Sequence, residues 1–195
     1  MIILAADTSL SLLSVAIVRD DALLGAIALE GKGTRNEKLL PAIDWLLAET
    51  GVPRTSLDLL AVTRGPGSFT GVRIGLATMQ GLAMALGKPV CAISTHEAIA
   101  FEIGDAIIMD DAGRGEFYLS EFRDGKELTP PHLAAAVPSG GVVSVADFVQ
   151  HRNVARACAR RAAQIGAAGE LARYADVTPI YVRLAEAEVK LQQKR

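Results

Sequence analysis

Cysteine, aromatic residues and charge of one sign are all scarce in this sequence, and each scarcity excludes a class of protein. The two cysteines, Cys91 and Cys158, are too few for a disulfide framework. Aromatic residues make up 5% of the 195 residues, too few for base-stacking platforms. A net charge of −2 argues against a broad basic surface that clamps phosphate backbones. Half of the residues are hydrophobic, which is enough for a globular core.

Long hydrophobic runs are also absent. No uncharged apolar run approaches the roughly 18 residues that a membrane span requires. The apolar stretch at residues 1–6 is too short for a secretory signal and has no basic region before it. We therefore expect a cytoplasmic protein without membrane association and with reduced cysteines.

The order of apolar segments in the first half of the chain predicts a mixed α/β lobe. Three closely spaced strands predict an antiparallel meander, because a parallel return needs a crossover of about a dozen residues. Two helices follow, and each ends before a glycine with a proline two residues beyond it. The predicted strands are residues 2–6, 14–18, 22–29, 57–63 and 90–93, and the predicted helices end near residues 49 and 86.

A second, smaller lobe is expected from about residue 104. It has a strand pair at 106–109 and 115–123, an irregular proline-broken segment at 128–139, a short strand at 141–145 and helical sequence at 146–172. The expected division is an N-terminal lobe at residues 1–103 and a second lobe at 104–182. Whether a C-terminal helix at 183–195 completes the first lobe is left open.

The most informative segment, residues 64–75, reads Arg-Gly-Pro-Gly-Ser-Phe-Thr-Gly-Val-Arg-Ile-Gly. It leads from a strand into a helix, where glycines and free amides can cradle an anion. The segment can also be interpreted as a tight turn before a helix capped by Ser68 or Thr70. A P-loop is not indicated, because no Gly-Lys-Ser or Gly-Lys-Thr follows. Both interpretations remain open at this point.

Each predicted lobe has a strand that ends in an aspartate and a turn. The first is Asp7-Thr8-Ser9 and the second is Asp110-Asp111. A carboxylate beside hydroxyls can hold hydrated magnesium or a phosphate tail, and the same residues also cap ordinary turns. Two such units, one in each lobe, are what a nucleotide cleft between lobes would need.

The sequence gives little support for a metal site or for a serine hydrolase. His96, His132 and His151 are too widely spaced to act as a helical pair of ligands, and neither cysteine has a ligand-type neighbour. No Gly-x-Ser-x-Gly motif occurs.

Two helical surfaces have two interpretations each. Arg152, Arg156 and Arg160 recur every four residues and so share one face of a predicted helix, which is either solvated or in contact with RNA or an acidic partner.

The helix that ends near residue 86 is apolar almost all round and must be covered on both sides. Its cover is either a partner subunit or the C-terminal helix.

Together, several motifs resemble the TsaB (YeaZ) family. They are Asp7-Thr-Ser, Leu39-Leu-Pro-Ala-Ile43, residues 64–75 as quoted, and Pro179-Ile-Tyr-Val-Arg183. That family is the small subunit of the bacterial machinery that makes threonylcarbamoyladenosine at position 37 of tRNA. The resemblance implies a two-lobed actin/Hsp70/sugar-kinase-like (ASKHA) α/β fold, here with a shortened second lobe.

The resemblance also implies a non-catalytic role. Family members pair with a larger paralogue, TsaD, which carries the metal and transfers the threonylcarbamoyl group, and a P-loop ATPase, TsaE, docks on the pair. The family forms homodimers when alone, and its contact with tRNA is indirect. The metal motif of the catalytic relative, His-x-x-x-His, is absent here. Pairing is expected on the two first-lobe helices, through Leu39, Leu40, Ile43, Leu47, Ile74, Thr78, Met79 and Leu82.

The phosphate motifs of the fold imply a vestigial site at Asp7, Thr8, Ser9, Gly65, Gly67, Ser68, Thr70 and Asp111. No cofactor is expected to be required, and ATP or ADP with magnesium at a subunit interface is left open. Two departures from the family pattern are the Thr34-Arg35-Asn36 stretch and the trimmed segment at 130–150. The alternative function is a small ATP-dependent phosphotransferase with Asp7 and Asp111 around magnesium-ATP. Peptidase activity lacks both a ligand set and a triad.

Overall fold

The computed structural model describes residues 1–30 and 35–183, which form two sheets and five α-helices. The first sheet has the order β3-β2-β1-β4-β5 and the second the order β8-β7-β6-β9. The strands are β1 Ile2–Asp7, β2 Leu12–Arg19, β3 Ala22–Glu30, β4 Leu59–Thr63, β5 Val90–Ile93, β6 Ala106–Gly113, β7 Glu116–Arg123, β8 Lys126–Ala134 and β9 Val142–Ser144. The helices are α1 Arg35–Thr50, α2 Phe69–Leu86, α3 Thr95–Ile103, α4 Val145–His151 and α5 Val154–Ala167.

The first sheet is covered by helices on both faces. Strands β1, β2 and β3 form the predicted antiparallel meander, and β4 and β5 extend it in parallel from β1. Side chains alternate across a strand, so Ile3 and Ala5 belong to one apolar cluster whereas Leu4 and Ala6 belong to the other. Helix α5 packs on the face that carries Ile3 and Ala5, and helices α1 and α2 pack on the opposite face, which carries Leu4 and Ala6. The central strands are therefore buried on both sides.

Helix α5 corrects the predicted division of the chain. It lies within residues 104–182, yet it packs on β1 and β2 of the first sheet. Its buried face consists mainly of alanines with Cys158, and such small side chains let a helix approach a sheet closely. The second sheet, by contrast, is made only of residues beyond 104. The C-terminal helix proposed for 183–195 lies, apart from Arg183, outside the described residues.

Strand β8 is a second correction, because residues 128–139 were expected to be irregular. Pro130 and Pro131 lie inside this strand. β8 is the outer strand of the sheet and pairs only with β7. An edge position tolerates proline because one side of the strand donates no ladder hydrogen bonds. Among the described residues, no helix is both long and apolar enough to cross a membrane.

Candidate functional site

The turn after β1 is a buried polar network. Asp7 is fully buried, and its Oδ1 accepts hydrogen bonds from the hydroxyls of Ser9, at 2.6 Å, and Thr63. The Ser9 hydroxyl lies 3.1 Å from that of Thr95 at the start of α3. Burial raises the pKa of Asp7, and its Oδ2 has no hydrogen-bond partner in the described part of the chain. These contacts join three elements of the first lobe, so Asp7 has a structural role.

The glycine-rich segment packs directly on that turn. Thr8 Oγ1 donates to the carbonyl of Gly71 at 2.6 Å, and the Ser68 amide donates to the carbonyl of Ser9 at 2.7 Å. A Cβ on Gly67 would lie 2.5 Å from the Ser9 carbonyl oxygen, and one on Gly71 only 2.0 Å from that of Thr8. The Ser68 side chain caps α2 by accepting from the Gly71 amide. The glycines therefore permit close backbone packing of a capped helix, the second of the two interpretations of this segment.

A cleft of about 520 Å³ lies between the two lobes. It brings together four of the eight residues expected to form a phosphate site: Ser9, Gly67, Ser68 and Asp111. The other four, Asp7, Thr8, Gly65 and Thr70, do not line it. The predicted cleft is present, but the Asp7 carboxylate, which was expected to bind a ligand on its first-lobe side, forms hydrogen bonds inside the core instead.

The cleft does not suit the phosphates of a nucleotide. Asp110 and Asp111 line its second-lobe side, and none of its described lining residues is a lysine or arginine. The Asp110 carboxylate accepts the Asp111 amide at 3.0 Å, and that of Asp111 accepts the Gly113 amide at 2.7 Å. Phosphate sites need cations or free amides, whereas these carboxylates repel phosphate and bind their own turn. Within residues 1–30 and 35–183, no group of three or more His, Cys, Asp or Glu side chains is placed to hold a metal ion.

Asp110 should make stability depend on pH. Burial is the main reason that its pKa is raised from 3.8 to about 6. Between these values the folded state holds the proton more tightly than the unfolded state, so the free energy of unfolding falls as pH rises, by about 1.4 kcal/mol per pH unit. Asp110→Asn keeps an oxygen that accepts the Asp111 amide and removes the charge. We expect this variant to gain about 2 kcal/mol at pH 7 and to lose the decline between pH 4 and 6, as measured by urea unfolding. Identical pH profiles for the two proteins would contradict the assignment.

Tyr118 and Ser11 also line the cleft and were not anticipated. Tyr118 lies opposite Asp110 in the register of β6 and β7. A β-bulge between Asp111 and Gly113 shifts this register by one position, so counting outward from the Gly113–Glu116 pair would place Tyr118 opposite Asp111. The hairpin pattern could therefore have placed Tyr118 beside the two aspartates, but not opposite Asp110. No comparable signal marks Ser11, whose position depends on the closed turn after β1.

The face formed by α1 and α2 is only partly the predicted one. Leu39, Ile43, Leu47 and Met79 are 0%, 2%, 6% and 0% exposed and belong to the apolar cluster beneath the helices. The structure therefore corrects their assignment to a pairing surface, because they are the chain's own core. Leu40 is 44% exposed, and Ile74, Thr78 and Leu82 are partly buried.

The same face exposes two large apolar side chains that the predicted surface omitted. Trp45 on α1 is 52% exposed and Met84 on α2 is 79% exposed. The two helices contact each other on one side of the first sheet. We call the exposed face of these helices, with Leu40, Trp45, Ala77, Gly81 and Met84, the helical face. It is an apolar surface of the kind that marks protein contacts.

The prediction that Arg152, Arg156 and Arg160 share one face of a helix is wrong for Arg152, which precedes α5 as the C-cap of α4. Arg156 lies on α5 with its Nε buried and without a hydrogen-bond partner among the described residues. The remaining arginines of α5 are paired inside the molecule. Arg160 donates to Asp21 at 2.7 Å and to Glu102 at 2.8 Å, and Arg152 donates to the backbone carbonyl of Glu102. Arg161 pairs with Glu97 at 2.8 Å. These contacts tie α5 to the β2–β3 turn and to α3. An external phosphate could engage Arg160 only by breaking two ion pairs.

The chain is similar in sequence to proteins of threonylcarbamoyladenosine synthesis. The family model "TsaD: tRNA N6-adenosine threonylcarbamoyltransferase" matches residues 33–167, more than two thirds of the chain. The TsaB protein of Bacillus subtilis is 33% identical over 156 residues, 77% of this chain and 65% of that protein. The TsaB protein of Haemophilus influenzae is 39% identical over 127 residues, 61% of this chain and 52% of that protein. Both relatives are named as tRNA threonylcarbamoyladenosine biosynthesis proteins. The matched regions thus span about half to two thirds of these TsaB relatives.

A solved structure agrees with them. YeaZ from Pseudomonas aeruginosa superimposes with a TM-score of 0.71 at 28% identity, over 92% of this chain and 99% of that one. The two-lobed α/β fold expected from the sequence is confirmed. The motifs, the two-sheet fold and these similarities lead to one conclusion: the chain belongs to the TsaB (YeaZ) family.

Proposed function

We propose that this protein is the non-catalytic, activating subunit of a complex that makes threonylcarbamoyladenosine at position 37 of tRNA. It pairs with a TsaD-type paralogue, which carries out the threonylcarbamoyl transfer. The observation that carries the proposal is the helical face, where Met84 and Trp45 expose large apolar surfaces on adjacent helices. The TsaB name of the relatives supplies the pathway.

The lack of a suitable catalytic centre among the described residues supports an accessory role. The Asp7 carboxylate accepts hydrogen bonds within the first lobe and does not line the cleft. The cleft offers two carboxylates and no cationic side chain among its described lining residues. A phosphotransferase would need to bind magnesium-ATP there, and no observation favours that alternative. We therefore propose that activation requires no nucleotide bound by this chain alone.

Pairing through the helical face has a clear physical basis. A large apolar side chain that becomes fully buried contributes roughly 1.5–3 kcal/mol. Leu40, Trp45 and Met84 together can therefore anchor a partner whose contacting helices are also apolar. We extend the proposal to a homodimer through the same face when the paralogue is absent, and to a TsaE-type ATPase that docks on the heterodimer. The role places the protein in the cytoplasm, with tRNA contacted mainly through its partners.

The proposal is tested by reconstitution. This chain, its TsaD-type paralogue and the pair are each incubated with threonylcarbamoyl-adenylate and unmodified tRNA, with the TsaE-type ATPase added for multiple turnovers. We expect no transfer by this chain alone and, because the subunit activates its partner, at least tenfold more by the pair than by the paralogue alone. Transfer by this chain without the paralogue would show that it is catalytic. Equal transfer with and without this chain would remove its activating role.

A further inference from the structure

Helix α2 carries one charged residue among its 18 positions, Arg73. The side chain is exposed and lies on the same side of the helix as Met84. The two residues are eleven positions apart, which at 3.6 residues per turn is about three turns, or roughly 16 Å along the axis. Arg73 is therefore the single cation that α2 contributes to the helical face, and it lies near the N-terminal end of α2.

The guanidinium of Arg73 is held in a defined position. Its Cζ lies 3.8 Å from the ring centroid of Phe69 and 5.4 Å from that of Tyr181, and its Nε donates to the Tyr181 hydroxyl at 2.6 Å. Tyr181 is fixed in turn, because the amide of Ile180 donates to the carbonyl of Arg64 at 2.7 Å. Stacking on aromatic rings orders the guanidinium before any ligand arrives.

The positive charge of Arg73 is not neutralised within the described part of the chain. Arg160, Arg161 and Arg183 each contact a carboxylate, whereas Arg73 forms no ion pair with a described residue. Its one hydrogen bond uses Nε, which leaves both Nη groups without a described partner. An ordered guanidinium whose Nη groups have no partner in residues 1–30 and 35–183 is suited to a carboxylate, which it can bind through two parallel hydrogen bonds.

We propose that Arg73 is the charged recognition point of the helical face and binds a carboxylate of the partner subunit. The inference rests on the proposed pairing. Its physical basis is that a cation buried in an otherwise apolar contact is costly without a counter-charge. The ion pair would fix the register of the partner along α2, while the apolar side chains supply most of the affinity.

The test measures the dissociation constant of this chain with its TsaD-type paralogue in 50–500 mM NaCl. Arg73→Gln keeps a polar side chain of similar length and removes the charge. We expect pairing about 10- to 100-fold weaker at 50 mM NaCl, with the difference shrinking as salt rises. Arg73→Lys should recover only part of the loss, because lysine lacks the planar two-donor geometry. Arg123→Gln is the matched control, since Arg123 is exposed on the second lobe and pairs only with Glu121.

Each outcome decides the inference. Unchanged pairing by Arg73→Gln, while Met84→Glu still disrupts the complex, would overturn the role of Arg73 and leave the proposed function intact. If the variant pairs normally but the complex loses affinity for tRNA in an anisotropy titration, Arg73 contacts a phosphate and the carboxylate assignment is wrong. Absence of pairing by the unaltered protein would instead refute the proposed function itself.

Discussion

Met84→Glu should abolish pairing with the TsaD-type paralogue while leaving the isolated subunit folded. Met84 is 79% exposed, so the glutamate remains hydrated in the free chain. In the complex, the variant loses the burial of an apolar side chain and places an unpaired charge in an apolar contact. The sum is at least about 3 kcal/mol, which corresponds to a loss of affinity of more than 100-fold. Sedimentation velocity of equimolar mixtures measures the effect directly.

Leu128→Glu is the matched control for this experiment. Leu128 is 52% exposed on β8 of the second lobe, away from α1 and α2, so the same change of chemistry should leave pairing unaltered. Trp45 offers an independent signal because it is the single tryptophan and lies on the helical face. Labelled with 5-fluorotryptophan, it should show a changed ¹⁹F resonance on mixing with the paralogue, and Met84→Glu should prevent that change. Equal loss of pairing in both glutamate variants would mean that the helical face is not the contact.

Gly71→Ala should be among the most destabilising single-methyl additions available in this chain. The added Cβ would lie 2.0 Å from the carbonyl oxygen of Thr8, a backbone atom that cannot rotate away. To relieve the clash, α2 must move off the first sheet, which also breaks the hydrogen bond from Thr8 Oγ1 to the Gly71 carbonyl. We expect a loss of about 3–5 kcal/mol, or roughly 10 °C in Tm for a chain of this length. Urea and thermal unfolding measure both values.

Gly81→Ala, on the same helix, is the control with the opposite sign. Beyond its chain neighbours and the backbone of its own helix, no atom of a described residue lies within 4 Å of a Cβ built at Gly81, and alanine favours helix over glycine by up to about 1 kcal/mol. We expect this variant to be as stable as the unaltered protein or more stable. If Gly71→Ala unfolded at the same urea concentration as Gly81→Ala, the close packing of α2 on the β1 turn would be incorrect, and the glycine-rich segment would again be open to an anion-binding interpretation.

The secondary structure was largely readable from local patterns. The continuous apolar run of β1 predicted a buried strand, and the short connections to β2 and β3 excluded a parallel return, which left an antiparallel meander. The start of α2 was equally accessible, since Ser68 was one of two predicted caps and is the residue that accepts from the Gly71 amide. By contrast, the sequence could not assign α5 to a sheet, because an alanine-rich face packs on any flat apolar surface.

The candidate site was less predictable than the fold. A helix that is apolar all round gives no indication of which side meets its own sheet. Met79 on α2 was therefore assigned to a pairing surface, although it is fully buried. The glycines of residues 64–75 posed a similar difficulty, because close backbone packing and phosphate binding both require residues without a Cβ. The close approach of Gly67 and Gly71 to the turn after β1, together with the Ser68 cap, distinguishes them.

By itself, the sequence determined the α/β class, the first sheet's strands and the family, since these depend on local periodicity and on motifs that are contiguous in the chain. The tertiary structure decided which apolar side chains are covered, whether Asp7 faces a cleft or the core, and that Arg73 stacks beside Tyr181 without a counter-charge among the described residues. Those properties arise from contacts between residues distant in the chain, such as Asp7 and Thr63, 56 positions apart, and Arg73 and Tyr181, 108 positions apart. Local periodicity contains no information about such contacts.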